Sequence, residues 1–185
     1  MSELLLSTNS DSIEAFWEEM WWHVHFIGRG GLAAFAMAAV DIALWDLRAK
    51  TIDKPLWRLL GGDSCEVKAY AGGIDLDFTL DELLAQAEGF LAQGFQAIKM
   101  KVGRDVLEQD IDRVQAVRKF VGSDFPLMVD ANMRWTVDQA IGAATALRSC
   151  GLYWLEEPVI PDDFVGHARV QTMGGVPVAS GENLH

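Results

Sequence analysis

Three carboxylates recur at one interval along the C-terminal half of the chain. Asp130, Glu156 and Glu182 lie 26 residues apart, since 156 − 130 and 182 − 156 give the same number. Each follows a short, largely apolar run of the kind that forms a buried strand. A strand, a crossover helix and the return to a parallel neighbour occupy about this length of chain. The spacing therefore predicts a parallel β/α arrangement with one acid at the C-terminal end of each of three neighbouring strands.

These three acids predict a metal site. The C-terminal strand ends of a β/α barrel open onto the active site, and carboxylates that converge there repel one another unless a cation lies between them. Oxygen ligands suit a hard divalent cation, Mg²⁺ above all. We therefore expect Asp130, Glu156 and Glu182 to bind magnesium. The alternative interpretation places them at helix N-termini, where acidic side chains are also favoured.

A pair of lysines precedes the acids in the segment Ile98-Lys99-Met100-Lys101-Val102. Residues i and i+2 of a strand share a face, so both ammonium groups are predicted to point the same way. Two adjacent ammonium groups lower each other's proton affinity, because a like charge disfavours the charged form. Lys101, which lies 29 residues before Asp130 (130 − 101), is therefore a candidate general base. The alternative is an ion pair with one of the acids.

Composition limits the class of protein. The chain has 185 residues, half of them hydrophobic, and a net charge of −12, which argues against nucleic acid or an anionic membrane as partner. An anionic substrate would then need a local cationic patch, which the lysines and a metal would supply. The sequence has no apolar run long enough for a membrane span and no recognisable signal peptide. Cys65 and Cys150 lack metal-type spacing and are expected to be reduced thiols of a cytoplasmic protein.

Hydrophobic periodicity divides the chain into two parts. We expect a helical part over residues 1–64 and an alternating β/α part over residues 65–185. The predicted helices of the first part cover 12–27, with Ser12 as a possible N-cap, then 32–50 and a short segment from Pro55 to Gly61. The β/α part is predicted to contain strands at 67–73, 97–102, 127–130, 152–156 and 176–180, with helices at 80–93, 106–121, 137–149 and 163–173.

Four motifs follow one another along the chain: Lys99-Met100-Lys101, Val129-Asp130-Ala131-Asn132, Glu156-Glu157-Pro158 and Gly181-Glu182-Asn183. Taken together, they resemble those of the mandelate racemase and muconate lactonizing enzyme branch of the enolase superfamily. The segment Asp41-Ile42-Ala43-Leu44-Trp45-Asp46 is similar to the helical part of the capping domain in that family. The resemblance implies an α/β fold, namely part of an enolase-type (β/α) barrel preceded by the helical part of an α+β capping domain.

The resemblance also implies a role for each of these residues. Asp130, Glu156 and Glu182 would bind Mg²⁺, and the metal would hold the substrate carboxylate and stabilise an enediolate. Lys101 would remove the proton α to that carboxylate. Lys99 would lower the pKa of Lys101 and help to hold the carboxylate, and Asn132 would contact substrate or metal-bound water.

The expected reaction is Mg²⁺-dependent dehydration of a sugar acid, an aldonate or aldarate, with racemisation or cycloisomerisation as alternatives within the superfamily. A Schiff-base aldolase with a strand-end lysine is an alternative from another class, and a non-catalytic fragment is another. A full barrel has about eight strands, whereas five are predicted here. We therefore expect the second acid or base to lie in a further segment, this chain alone to be inactive, and the complete protein to be a homo-oligomer.

Overall fold

The computed structural model describes residues 12–28 and 30–183. These residues fall into two compact units, a helical one that ends at Val67 and an α/β one that begins at Lys68. None of the helices in the described ranges combines the length and the hydropathy needed to cross a bilayer.

The helical unit is built around an amphipathic first helix. Phe16, Met20 and Val24 recur at helical spacing and are buried, and they pack with Met37 of the second helix. The Ser12 hydroxyl accepts a hydrogen bond from the backbone N–H of Ala15 at 3.2 Å and caps the first helix, as the sequence predicts. The helices are α1 (Ile13–Val24), α2 (Leu32–Thr51) and α3 (Leu56–Leu59).

The α/β unit alternates strands with helices, which confirms the predicted fold class. Its five strands form one sheet in the order β1-β2-β3-β4-β5, and every adjacent pair is parallel. The strands are β1 (Ala71–Gly72), β2 (Ile98–Lys101), β3 (Leu127–Asp130), β4 (Leu155–Glu156) and β5 (Val178–Ala179). The helices are α4 (Leu80–Ala92), α5 (Leu107–Val121), α6 (Val137–Leu147) and α7 (Phe164–Gly174), and a 3₁₀ turn (Arg148–Cys150) follows α6.

Local signals in the sequence set the helix boundaries. Thr79 and Thr136 each begin a helix with a complete capping box, in which the threonine hydroxyl and a Glu or Gln side chain bond to each other's backbone N–H. Gly122 and Gly175 follow α5 and α7 with φ of 93° and 70°. Such positive φ angles are easy for glycine and strained for other residues, so these glycines end the helices.

Three strands are less than half as long as predicted, and a fourth, predicted over 97–102, covers Ile98–Lys101. The first was expected over 67–73, but Val67 is 91% exposed and pairing covers only Ala71 and Gly72. The strands predicted at 152–156 and 176–180 likewise form two ladder positions each. An apolar run becomes a strand only where a neighbouring main chain lies in register beside it. The apolar pattern identifies the buried segment but not the length over which it is paired.

Helices α6 and α7 pack closely through small residues. A Cβ atom built on Gly174 would lie only 2.5 Å from the Cβ atom of Ala144, so the glycine is needed for this approach. Both residues are fully buried. By contrast, Gly142 is exposed on α6, and a Cβ atom there would meet nothing within 4 Å.

We predict opposite effects for alanine at these two glycines. Gly174→Ala should lower the free energy of unfolding by about 1–3 kcal/mol, the usual cost of overpacking. Gly142→Ala should raise it by about 0.4–1 kcal/mol, because alanine loses less backbone entropy on folding. Urea unfolding followed by circular dichroism measures both. Equal midpoints for the two variants would contradict the close helix contact.

Candidate active site

The site lies at the C-terminal ends of strands β2, β3 and β4. Lys101 is the register partner of Asp130, and Asp130 is the register partner of Glu156. Each of these residues is the last of its strand. Parallel pairing in register places the three side chains in one row across the sheet, so the base candidate and two of the predicted metal ligands lie side by side.

Ion pairs connect this row. The ammonium group of Lys101 lies 2.7 Å from Oδ2 of Asp130, and that of Lys99 lies 3.4 Å from the same oxygen. Lys99 also donates a hydrogen bond of 2.5 Å to Oε1 of Glu156. Asp130 is nearly fully buried, whereas the other three side chains retain partial access to solvent. The two lysines therefore point the same way, as predicted, and Asp130 bridges them.

The acids change the expected electrostatics of Lys99. Burial acts to lower the pKa of its ammonium group, but the hydrogen bond and negative charge of Glu156, together with the charge of Asp130, outweigh burial and raise that pKa. The expectation that the lysine pair lowers the pKa of both members is thus wrong for Lys99. Two carboxylates within reach dominate over the neighbouring ammonium group.

Glu182 is placed differently from the other two acids. The register partner of Glu156 is Ala179, not Glu182, which lies in an exposed turn three residues beyond β5 (182 − 179). Partial burial raises the pKa of Glu182, and the negative charges of Glu157, Asp130 and Glu156 raise it further. Glu182 therefore senses the site electrostatically, although equal spacing along the chain did not produce equal register.

The three predicted ligands are not drawn together around one point. Within residues 12–28 and 30–183, no three Asp, Glu, His or Cys side chains are grouped as ligands of a metal ion would be. The ammonium groups of Lys99 and Lys101 lie against Asp130 and Glu156 instead. The assignment of Asp130, Glu156 and Glu182 as metal ligands stays a prediction.

The loops after β3 and β4 have unusual backbone conformations. Asn132, Met133 and Glu157 have φ of 42°, 62° and 40°, which is uncommon for residues other than glycine. The backbone N–H of Asn132 donates to Oδ1 of Asp130 at 3.0 Å, and the N–H of Met133 donates to the carbonyl of Glu157 at 2.7 Å. Strained backbone of this kind is concentrated at functional sites. Asn132 lies beside Asp130, and its predicted substrate contact stays a prediction.

Glu157 is a buried carboxylate next to the site. It makes no salt bridge with any described residue. The amide group of Asn183 donates to its two oxygens at 3.0 and 2.9 Å. The Glu157 and Asn183 side chains therefore join the loop after β4 to the segment that carries Glu182. His185, two residues beyond Asn183 in the same segment, lies outside the described residues.

Sequence reasoning missed two aromatic residues that contact the site. The indole N–H of Trp154 donates to Oε2 of Glu156 at 3.0 Å, and the Tyr70 ring packs edge-on against Trp154. The ammonium group of Lys99 lies 5.5 Å from the centre of the Tyr70 ring, within cation–π range. The available signal for Trp154 was its position two residues before Glu156, which places both side chains on one face of a strand.

Sequence reasoning also missed a buried network of charged residues behind β2. Asp75, Asp110 and Arg113 are almost entirely inaccessible to solvent. Asp110 and Arg113 lie on the buried face of α5, together with Val114 and Val117. Ionisable residues are rarely buried unless they are paired, so charges on the apolar face of a predicted helix were the signal that could have revealed them.

Comparison with known proteins identifies the family. Residues 82–185 match the family described as enolase C-terminal domain-like, and residues 1–61 match the N-terminal domain of mandelate racemase and muconate lactonizing enzyme. The chain belongs to the enolase superfamily. The resemblance inferred from the four motifs is thereby confirmed.

Several relatives within the superfamily are enzymes named for sugar acids. The chain is 56% identical to the 3,6-anhydro-α-L-galactonate cycloisomerase of Streptomyces coelicolor, over 98% of this chain and 50% of that enzyme. A racemase from the same organism, crystallised with bound magnesium, has a TM-score of 0.96 and 55% identity over 100% of this chain and 55% of its own. The L-talarate dehydratase of Polaromonas sp. JS666, in complex with Mg and L-glucarate, has a TM-score of 0.84 and 38% identity over 92% and 48%. The chain spans about half the length of the curated relatives it matches.

The raised pKa of Lys99 predicts how stability depends on pH in metal-free protein. Because the folded pKa lies above the reference value of 10.5, the ion pairs contribute fully below that pH and are lost as the pH rises through the folded pKa. The difference in unfolding free energy between the parent protein and Lys99→Met should therefore stay constant from about pH 7 to pH 9 and shrink above about pH 10.5. Urea unfolding with a chelator present measures it, and Lys119→Met on exposed helix surface controls for loss of one positive charge. A difference that grows with pH would contradict the assigned pairing.

Proposed function

We propose that this superfamily member provides the proton-abstracting half of a Mg²⁺-dependent enzyme that acts on sugar acids. The observation that carries the proposal is the row of Lys101, Asp130 and Glu156 at three adjacent strand ends, with Lys99 paired to both acids. The row supplies a base, a second cation and carboxylate oxygens within one hydrogen-bonded group. Such an arrangement suits removal of a proton next to a carboxylate.

In this proposal Lys101 is the base and Lys99 remains a cation. The raised pKa of Lys99 suits a group that attracts the carboxylate of an anionic substrate and compensates charge as the enediolate forms. Among the described residues, one carboxylate, that of Asp130, lies within ion-pair distance of Lys101, whereas two lie within that distance of Lys99. The Lys101 side chain is 19% exposed, so it is the more accessible of the two lysines to a substrate.

The donor set around the lysines suits magnesium. Asp130, Glu156 and Glu182 offer only oxygen atoms as ligands. The pKa of Glu182 is raised first by partial burial and then by the negative charges of Glu157, Asp130 and Glu156, and a cation would relieve that repulsion. When bound, Mg²⁺ supplies Lewis-acid polarisation of a substrate carboxylate. Oxygens of Asp130 and Glu156 accept from Lys101 and Lys99, so an ion held by these two acids would compete with the lysines for them.

The fate of the enediolate distinguishes two candidate reactions. An enediolate expels an oxygen substituent from the adjacent carbon. If that substituent is a hydroxyl, it takes up a proton and leaves as water. If it is the ring oxygen, the ring opens and the mass of the molecule does not change. Removal of the C2 proton from a 3,6-anhydro sugar acid would thus open its ring, because C3 carries the ring oxygen. The 56% identity to an anhydrogalactonate cycloisomerase favours ring opening. Dehydration of an aldonate or aldarate, which the sequence analysis favoured, is the second candidate and is supported by the more distant dehydratases.

We predict that Lys101→Met abolishes proton abstraction. In the full-length enzyme of this proposal, with 3,6-anhydro-L-galactonate as substrate, loss of the C2 proton and formation of product should both fall by about 10²- to 10⁴-fold, since a positioned base is lost. Lys119→Met should behave as the parent protein. Mass spectrometry of the product distinguishes ring opening from dehydration, with galactarate as the substrate for the second. If Lys101→Met removes the C2 proton of the substrate as fast as the parent protein does, the assignment is refuted. Borohydride trapping of a substrate on either lysine would indicate the aldolase alternative.

We predict that Asp130→Ala removes magnesium binding. Isothermal calorimetry should detect no Mg²⁺ binding to this variant, because the acid shared by both lysines is lost, while circular dichroism should show a retained α/β fold. Asp138→Ala, which removes a carboxylate at 90% side-chain exposure, is the matched control and should bind as the parent protein does. Undiminished affinity in Asp130→Ala would exclude it as a ligand.

A further inference from the structure

The main chain of Lys101 is held by side chains and not by the neighbouring strand. The backbone N–H and C=O groups of the odd-numbered residues of β2 point toward β1. This is shown by the hydrogen bond from the N–H of Gly73 to the carbonyl of Lys99 at 3.0 Å. One rung further on, the N–H of Lys101 donates to Oδ1 of Asp75 at 2.9 Å. Its carbonyl faces the guanidinium group of Arg113 at 3.4 Å. Asp75 and Arg113 thus continue the ladder for one residue beyond the end of β1.

These two side chains also bind each other and the loop after β1. The guanidinium group of Arg113 donates to the carbonyl of Asp75 at 2.6 Å, to its Oδ1 at 3.3 Å and to the carbonyl of Leu76 at 3.2 Å. Asp75 is 1% exposed and Arg113 is 4% exposed. Buried charge-assisted hydrogen bonds of this kind are strong and geometrically specific. The loop after β1, the end of β2 and helix α5 are therefore fixed to one another.

A second buried acid fixes the chain just beyond Lys101. Oδ2 of Asp110 accepts from the N–H groups of Gly103 and Arg104 at 2.8 and 2.9 Å. The side chain of Arg104 in turn donates to the carbonyls of Leu76 and Phe78 at 2.7 and 2.8 Å. On its other side, β2 is paired with β3 through the bond from Val102 to the carbonyl of Asp130 at 2.9 Å. The backbone that carries Lys101 is held from both sides.

We propose that Asp75 and Arg113 are positioning residues that set the place of Lys101 at the site. The inference rests on the proposed function, in which Lys101 removes the substrate proton. Neither side chain bonds to the ammonium group; both act through the backbone of Lys101. A base misplaced by about 1 Å can lose about 10²-fold in rate, which is a reason to anchor a strand end with two buried charges.

Gly73 supports this arrangement. A Cβ atom on Gly73 would overlap both Oδ2 of Asp75 and Oε1 of Gln86, so the carboxylate occupies the space that a side chain there would fill. That Oδ2 atom is buried and has no hydrogen-bond partner among the described residues. An amide group at position 75 would keep the acceptor for Lys101 and place a donor on the side of Gln86. Asp75→Asn is therefore the conservative variant, and Gly73→Ala displaces the carboxylate without altering its charge.

The first measurement is independent of the reaction. Hydrogen exchange followed by NMR reports whether the backbone amide of Lys101 is protected. Protection should be retained in Asp75→Asn and should fall at least about tenfold in Asp75→Ala and Gly73→Ala, since a hydrogen-bonded amide exchanges only on opening. Gly142→Ala, a glycine substitution in open space, is the control for general stability. Unchanged protection in Asp75→Ala would overturn the proposed anchor.

The second measurement tests the consequence for the reaction. In the full-length enzyme with 3,6-anhydro-L-galactonate and Mg²⁺, kcat for loss of the C2 proton should fall about 10²-fold in Asp75→Ala and Gly73→Ala, with little change in KM. Asp75→Asn should restore most of the rate, because the amide oxygen still accepts from the backbone N–H of Lys101. Arg113→Lys, which keeps the charge but loses the forked geometry, should also lower kcat.

The two sets of results separate the hypotheses. Lost protection with an unchanged kcat would overturn the positioning role and leave Lys101 as the base. An Asp75→Asn variant as slow as Asp75→Ala would show that the charge of Asp75 matters and not its hydrogen bond, which also overturns the proposal. If Lys101→Met exchanges the proton as the parent protein does, the proposed function fails whatever the amide protection shows.

Discussion

The buried carboxylate of Asp130 is the interaction on which this site depends. Its Oδ2 accepts from Lys101 and lies within ion-pair distance of Lys99, and its Oδ1 accepts from the N–H of Asn132. A carboxylate removed from water is costly unless charges and donors surround it. These partners come from β2 and from the loop after β3, so the register of the two strands and the conformation of that loop are coupled to the charge of one side chain.

Charge balance around Asp130 gives a physical reason for a divalent cation. The carboxylates of Asp130 and Glu156 lie against the ammonium groups of Lys99 and Lys101. Glu182 and Glu157 add two further negative charges nearby, so the six groups carry a formal charge of −2 (2 − 4). Mg²⁺ carries the opposite charge and prefers such ligands. The hydrogen bond and charge of Glu156, together with the charge of Asp130, raise the pKa of Lys99 even though the two lysines share a face.

Sequence reasoning predicted the features that depend on local pattern. The order of strands and helices and the helix boundaries at Thr79, Thr136 and Gly175 were readable, because periodicity, capping residues and glycine each act over a few residues. The position of Glu182 was not, since register depends on pairing between distant segments and Ala179 takes the place beside Glu156. Electrostatics failed for the same reason: the sequence shows two lysines in close succession, whereas Glu156 lies 57 residues away from the lysine it pairs with.

The buried network behind β2 illustrates a general difficulty of placing chemistry at strand ends. A ladder supplies partners for backbone N–H and C=O groups only as far as both strands continue, and a buried group left without a partner is costly. Strand β1 ends at Gly72, whereas β2 must continue to Lys101 to present its side chain. Asp75, in the loop after β1, provides the missing acceptor, and Arg113, on helix α5, provides the missing donor. A neighbouring strand would fix the backbone of Lys101 at the regular spacing of its own hydrogen bonds. Side chains such as those of Asp75 and Arg113 are not bound to that spacing. The position of the reactive group can therefore be adjusted by substitutions at the end of the sheet.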